Sequence, residues 1–312
     1  MPPRQNYDVS KATFGTDLGL ERPIVMALLR EARMDSDGAR LSWAVTQAIT
    51  GQADLPSVES DTDILSVNLS ANGSLDLRPS AATPLPTGQL DKLDVVAFTS
   101  HTNVDLNLGL FKGIAILGDG DDRVTGYAKV AVRTGGGDDT VILGNGADTV
   151  FAGDGDDVVI AGEGSNVVVL GQGNDSVTTG SGNDFIRAGR GNDTVISGDG
   201  HDTIYAGGGN DSISAGLGDD IIVVNGVQAG DQVIVRGNGG VDVLDLSKVT
   251  IDTSAATGGV DRPGGVGPVL ISLTGGATVA TYGVERFLYD TDGTAGPNGV
   301  VEVSLTQFLA AF

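Results

Sequence analysis

The chain has 312 residues, 49 of them glycine, with 41 acidic against 18 basic side chains and a net charge of −23. That balance leaves no basic patch for a phosphate backbone and argues against nucleic acid as a partner. No run approaches the roughly 18 apolar residues of a membrane span, and the lack of cysteine removes disulfides and thiolate metal sites.

Residues 1–60 read as an N-terminal helical segment. Ile24, Ala27, Leu28 and Glu31 share one helical face, and Leu41, Ala44, Val45 and Ala48 set a second. Asp37-Gly38 separates the two short helices and Gly51 ends the pair. A packing or partner-binding hairpin fits this region better than a DNA-reading one, given the acidity. The opening MPPRQNYDVSKATFG has no apolar core of a cleavable secretory signal. The DSDG at 35–38 lacks the closing Glu of an EF-hand loop.

From 61 to 116 the pattern turns to strands. Val67 and Leu69 alternate, Asn72-Gly73 predicts a hairpin turn, and Leu75 and Leu77 resume the alternation. Val104, Leu106, Leu108, Ile114 and Ile116 continue at similar spacing. This stretch is expected to cap the open strand edge of the region C-terminal to it. Pro79, Pro84 and Pro86 mark a loop within it.

From Thr134 to Val223 one nine-residue phrase, small–Gly–x–Gly–x–Asp–x–aliphatic–x, recurs ten times without insertion or deletion. A short fixed period is the signature of a solenoid, in which each unit buries its apolar face only against its neighbours. The aliphatic places are Val141, Val150, Val159, Val168, Val177, Ile186, Val195, Ile204, Ile213 and Ile222, all β-branched, as a dry pleated interior favours. With two phrases per coil, strands stack roughly 4.8 Å apart. The acidic places then form two rows. One is Asp139, Asp157, Asp175, Asp193 and Asp211; the other is Asp148, Asn166, Asp184, Asp202 and Asp220.

Carboxylates at strand spacing repel one another unless a cation lies between them. The available donors are these side chains and the carbonyls of the glycine turns. Those glycines are Gly135 and Gly137, Gly144 and Gly146, Gly153 and Gly155, Gly162 and Gly164, Gly171 and Gly173, then Gly180 and Gly182, Gly189 and Gly191, Gly198 and Gly200, Gly207 and Gly209, and Gly216 and Gly218. An all-oxygen set of irregular geometry suits Ca2+ better than Mg2+. Fifteen acidic residues against two arginines give this stretch a net charge of −13, which about eight divalent ions would cancel. Folding is then linked to the ion. Asn166 removes one charge from its row, so the sites beside it are expected to be weaker.

These phrases resemble the GGxGxDxUx nonapeptides of the RTX (hemolysin-type calcium-binding repeat) proteins, over about a third of the chain. The resemblance implies an all-β fold: a calcium-filled parallel β-roll over 117–223, flanked here by the small helical segment and β-rich caps. It also implies export by type I secretion machinery under an uncleaved C-terminal signal, and a secreted, extracellular or cell-surface location. Leu117–Thr125 (LGDGDDRVT) is an eleventh copy, with Asp122 as its acidic place, set apart from the main array by a degenerate coil at 126–133. The family's first glycine is replaced throughout by Ala, Leu, Thr or Ser.

Residues 224–312 read as a C-terminal cap and secretion-signal region, where the nine-residue register is lost. VDVLDLSKV (241–249) and ERFLYDTDGTAGPNGVVEVSL (285–305) look like segments that commonly follow RTX repeats. In that resemblance Asp290 and Asp292 hold one further calcium; a plain Asp-Gly turn is the alternative. The apolar tail LTQFLAAF is either part of the secretion signal or a capping element.

No catalytic constellation accompanies these features. The two histidines, His101 and His201, stand outside any motif, and no zinc-protease helix, G-x-S-x-G elbow or cysteine nucleophile occurs. The chain reads as a non-enzyme: a secreted calcium-binding protein of structural, surface-layer, matrix or adhesive role. A toxin-like or hydrolase-type RTX effector is the alternative. The outer places Ile142, Phe151, Ile160, Val169, Ile196, Tyr205 and Val223 are apolar, so they either bind another molecule, including a second copy, or are covered by the flanks.

Overall fold

The computed structural model describes residues 101–252, 268–290 and 300–311, together with strands at 6–8, 40–46, 64–67, 73–76, 95–98 and 260–261. The chain divides into two compact units, Met1–Gly153 and Asp154–Phe312. Both are parallel β-solenoids.

Unit 1 contains β1 (Asn6–Asp8), β2 (Arg40–Thr46), β3 (Ile64–Val67), β4 (Gly73–Asp76), β5 (Val95–Phe98), β6 (Val104–Gly109), β7 (Ile114–Ile116), β8 (Arg123–Gly126), β9 (Ala131–Gly136), β10 (Thr140–Ile142) and β11 (Thr149–Asp154). Its strands fall alternately into two sheets, ordered β1-β2-β3-β5-β7-β9-β11 and β4-β6-β8-β10. The segment expected to be a second helix is β2, parallel to β3 with Trp43 opposite Ile64. Leu41, Trp43 and Val45 also alternate at the strand period, and Trp, Val and Thr favour a pleated surface. The first expected helix lies outside the described residues.

Asn72-Gly73 does not make a hairpin. β3 pairs with β5 and β4 with β6, both parallel, so β3 and β4 lie in different sheets. The predicted cap is therefore itself a run of coils. Leu106, Leu108, Phe111 and Ile114 fill its interior.

Unit 2 contains β12 (Val158–Gly162), β13 (Val167–Gln172), β14 (Ser176–Thr179), β15 (Phe185–Arg190), β16 (Thr194–Asp199), β17 (Thr203–Gly208), β18 (Ser212–Leu217), β19 (Ile221–Val223), β20 (Gln232–Gly239), β21 (Val243–Asp245), β22 (Val260–Asp261), β23 (Val269–Ser272), β24 (Thr278–Tyr282), β25 (Arg286–Asp290) and β26 (Val300–Ser304), and ends in helix α1 (Leu305–Ala311). One sheet runs β13-β15-β17-β19-β21-β25-β26 and the other β22-β23-β24-β20-β18-β16-β14-β12. Val177 stands opposite Val195, and Val195 opposite Ile213, so two phrases make one coil. Each aliphatic place of the repeats is sealed from solvent, from Val141 to Ile222.

A second inward row lies beside it: Ala152, Ala161, Leu170, Ala188, Ala206 and Ala215 are all fully buried. These are the places where the chain departs from the family's first glycine. A side chain is accepted there because it points into the interior. Of the outer places, Ile160 and Ile196 are 41% and 45% exposed, whereas Val223 is buried. Val223 sits at the end of β19, next to the buried Val224, where the coil length changes.

The nine-residue register ends after Val223, but the strand pairing does not. β18 pairs in parallel with β20, β19 with β21, β20 with β24 and β21 with β25. The coils lengthen while these strands keep their parallel partners, and within the added residues β22 and β23 join the sheet antiparallel beside β24. In α1, Phe308 is fully buried and stacks on Phe287 at 4.3 Å, with Tyr289 edge-on at 5.3 Å. Ser304 and Gln307 form a reciprocal capping box at its start. The described part of the tail thus packs on β25 through Phe308.

Candidate metal centre

Every repeat glycine except Gly144, Gly146 and Gly180 holds φ between 77° and 147°, a region costly for any residue with a Cβ. Stacking adds a second constraint. A Cβ on Gly173 would lie 1.9 Å from the Gly155 carbonyl oxygen, and one on Gly200 would lie 1.9 Å from that of Gly182. The turns are therefore columns of glycine carbonyls packed one coil above the next. Unit 1 repeats the arrangement at Gly135 over Gly118 and Gly137 over Gly120.

The aspartate ends each turn and is buried. In unit 2 the amide of Asp157 donates to Oδ1 of Asp175, Asp175 to Asp193, and Asp193 to Asp211, at 2.8–3.1 Å. On the other edge Asn166 donates to Asp184, Asp184 to Asp202, and Asp202 to Asp220, at 2.7–2.8 Å. In unit 1, Val104 donates to Asp122, Asp122 to Asp139, and Val130 to Asp148, each at 2.8 Å. Asp122 thus joins Asp139 across the degenerate coil. The row of Asp148 starts there, because Val130 stands at the acidic place of that coil.

One oxygen of each carboxylate is used in this way. The other, Oδ2, is buried and accepts no hydrogen bond in Asp122, Asp175, Asp184, Asp193, Asp202, Asp211 and Asp220, among the described residues. A buried, unsolvated carboxylate oxygen is costly unless a donor or cation meets it. Burial, then neighbouring carboxylates, push Asp122, Asp175, Asp211 and Asp220 up to about 7. Burial raises Asp139, Asp148 and Asp184 to about 6, and raises Asp193 and Asp202 as well.

Asn166 shows what this place requires. Its Nδ2 donates to the carbonyls of Gly162 at 3.1 Å and Gly164 at 2.8 Å. A carboxylate has no proton to give, so an ionised aspartate at this place does not meet the glycine carbonyls as the Asn166 amide does. Among the described residues no three His, Asp or Glu side chains cluster, so the main-chain carbonyls have to complete any donor set. Oxygen donors of this kind fit Ca2+ and do not fit the nitrogen and sulfur preferences of zinc.

The histidines take no part in such a set. His101 bonds the exposed Asp119 at 2.8 Å, and His201 Nδ1 accepts the Asp219 amide at 3.0 Å. His201 belongs to an exposed ladder that starts Ser165, Asn183, His201, Asp219, each side chain receiving an amide one coil on. Asn174, Asn192 and Asn210 form its counterpart on the other edge. Asp290 ends β25, and Asp292 lies outside the described residues.

Sequence reading missed that the acidic row continues past the repeats. Asp220 donates to Oδ1 of Asp242 at 3.0 Å, and Asp242 donates to Oε2 of Glu285 at 2.9 Å. The signal was present in Gly237-Asn238-Gly239-Gly240-Val241-Asp242, with Asn238 standing where the repeats have glycine. Asn238 pairs with Gly216 and holds φ at 74°.

The RTX calcium-binding nonapeptide repeat family matches the chain in four copies, at residues 133–168, 160–195, 169–204 and 188–222. A search of curated proteins found no match. The matched residues are the turns and strands just described. Repeats of this family bind Ca2+, in keeping with the oxygen-only turns.

Proposed function

We propose that this RTX-repeat chain is a secreted calcium-dependent scaffold, whose roll is completed by ions held between glycine carbonyls and row aspartates. Asp122, Asp139, Asp148, Asp157, Asp175, Asp184, Asp193, Asp202, Asp211 and Asp220 supply the carboxylates, and the repeat glycines supply the carbonyls. The observation that carries this reading is the buried Oδ2 that accepts no hydrogen bond in Asp122, Asp175, Asp184, Asp193, Asp202, Asp211 and Asp220 among the described residues. About eight ions would offset the local charge. Without them the rows repel one another and the array resists compaction.

Low cytosolic calcium would then keep the chain threadable through a type I exporter, and calcium outside the cell would close the roll. The surface of the fold supports a structural or adhesive role. Its outer faces carry exposed aliphatic side chains such as Val158, Ile160 and Ile196, while its histidines are committed to turn contacts. Titrating calcium into EDTA-treated protein should raise the β signal in circular dichroism cooperatively, with Mg2+ ineffective at equal concentration. A β signal independent of both ions would sink the ion-linked reading. For the role, Ile160→Lys with Ile196→Lys should abolish self-association or surface binding while leaving the calcium-induced signal intact. Unchanged association would remove the adhesive role.

A further inference from the structure

The edge that carries Asp148 has neither glycine pairs nor aspartates in the two coils before it. The turns there are short, 110–113 between β6 and β7 and 127–130 between β8 and β9. They stack residue for residue. The Tyr127 amide donates to the Gly109 carbonyl and the Ala131 amide to the Gly113 carbonyl, each at 2.9 Å. Phe111 and Ala128 point inward and are buried, so the residues on either side of them point out. Leu110 is 69% exposed and Tyr127 60%, and Lys112 and Lys129 beside them are exposed as well. Two of the three lysines among the described residues therefore share one corner with two outward apolar side chains. In so acidic a chain, an apolar corner flanked by cations fits an apolar surface flanked by acids.

The chain carries such a surface itself. On the outer face of β12, β14 and β16, Ile160 stands opposite Thr178 and Thr178 opposite Ile196. Val158, Ile160 and Ile196 are exposed. Acidic turns border this face: Asp156 precedes β12, Glu163 follows it and Asp199 ends β16, all three exposed. The Ser181 amide donates to Glu163 Oε2 at 3.2 Å, and Ser181 bridges to Asp199, so Glu163 and Asp199 line the same edge.

We propose that the Leu110–Tyr127 corner of one copy docks on the β12–β14–β16 face of a second copy. The aliphatic and aromatic side chains meet in the middle, and Lys112 and Lys129 face the acidic border. The docking rests on the proposed self-association through Ile160 and Ile196, and it supplies that face with a partner. The two surfaces differ, so the contact is heterologous: every copy added leaves one surface of each kind open, and assembly continues unless it closes into a ring. Ions bound in the aspartate rows would lower the charge of −23 that otherwise holds copies apart.

Sedimentation of calcium-saturated, full-length protein over a concentration series tests this. Wild type should form species larger than dimers. L110S/Y127S and I160K/I196K should each stay monomeric while keeping the calcium-induced β signal in circular dichroism. An equimolar mixture of the two should form dimers and stop there, because only one productive pair of surfaces remains. K112E should weaken assembly about tenfold; Lys129 is left in place because it also acts on Asp148. L110S/Y127S that assembles like wild type overturns the role of the corner and leaves self-association through the sheet face standing. A mixture that stays monomeric overturns the pairing of corner with face. Wild type that is monomeric at every concentration sinks self-association itself.

Discussion

The turn at Asn166 and the turn at Asp184 stand one coil apart in the same row and end in different side-chain groups, an amide and a carboxylate. At Asn166 the amide supplies two protons to Gly162 and Gly164, and the turn is satisfied from within. At Asp184 the group is a carboxylate with a buried, unmet oxygen. One chain thus contains a turn whose carbonyls are met by its own side-chain amide and turns ending in a carboxylate oxygen that accepts no hydrogen bond among the described residues. If ions complete the aspartate turns as proposed, calcium dependence resides in single atoms along each row, repeated until their sum controls the fold.

The largest way to sharpen this contrast is pH. Burial, then like charges, raise Asp122, Asp211 and Asp220 to about 7 and Asp184 to about 6 against an ordinary 3.8, and raise Asp193 and Asp202 as well. A value raised on folding contributes stability that is complete below the unfolded value and is lost as pH rises through the folded one. In EDTA the protein should therefore be most stable near pH 4 and lose stability up to about pH 7, as thermal melts would show. Calcium affinity should run the other way and weaken as pH falls below about 7, since protons compete for the same oxygens. An ion-free stability flat from pH 4 to 8 would contradict the burial of these groups.

Next in size is a change that bypasses the ions. Ile204→Ala empties a fully buried place and should cost about 2–5 kcal/mol in calcium and in acid EDTA alike. Denaturant melts in both conditions check it. A cost seen only with calcium would mean that the core and the ions are not separable.

Asp202→Asn tests the comparison itself. It should reproduce the Asn166 turn, stabilising the ion-free protein at neutral pH by about 1–3 kcal/mol while lowering bound calcium by at least one ion. The reverse change, Asn166→Asp, should add one ion with the smallest change in stability at saturating calcium. Isothermal titration gives both counts. If Asn166→Asp leaves the count unchanged, the amide is not what replaces an ion at that turn.

Much of this was legible from sequence, for a physical reason. A solenoid imposes its coil length on the chain, so Val177, Val195 and Ile213 recur at the step that puts them face to face, and the aspartates inherit the same step. Where coil length changed, the legibility failed. Asp242 lies 22 residues beyond Asp220, and Glu285 a further 43 on, although both keep the pairing of the row. Loops absorb insertions at little cost to stacked strands, so strand register outlives sequence period. Ala188 and Ala206 look in sequence like stand-ins for glycine because a small residue carries no strong pattern, yet they line the interior. At Arg40–Thr46 a helical period and a strand period coexist, and pairing with β3 decides between them.

The central claim is best tested by locating the ions. In crystals grown with calcium, anomalous scattering should place ions beside the Oδ2 atoms of Asp175, Asp184, Asp193 and Asp202. The carbonyls of Gly162 and Gly164 should bind the Asn166 amide with no ion between. Ordered water alone beside those carboxylates, or an ion seated against the Asn166 amide, would contradict it.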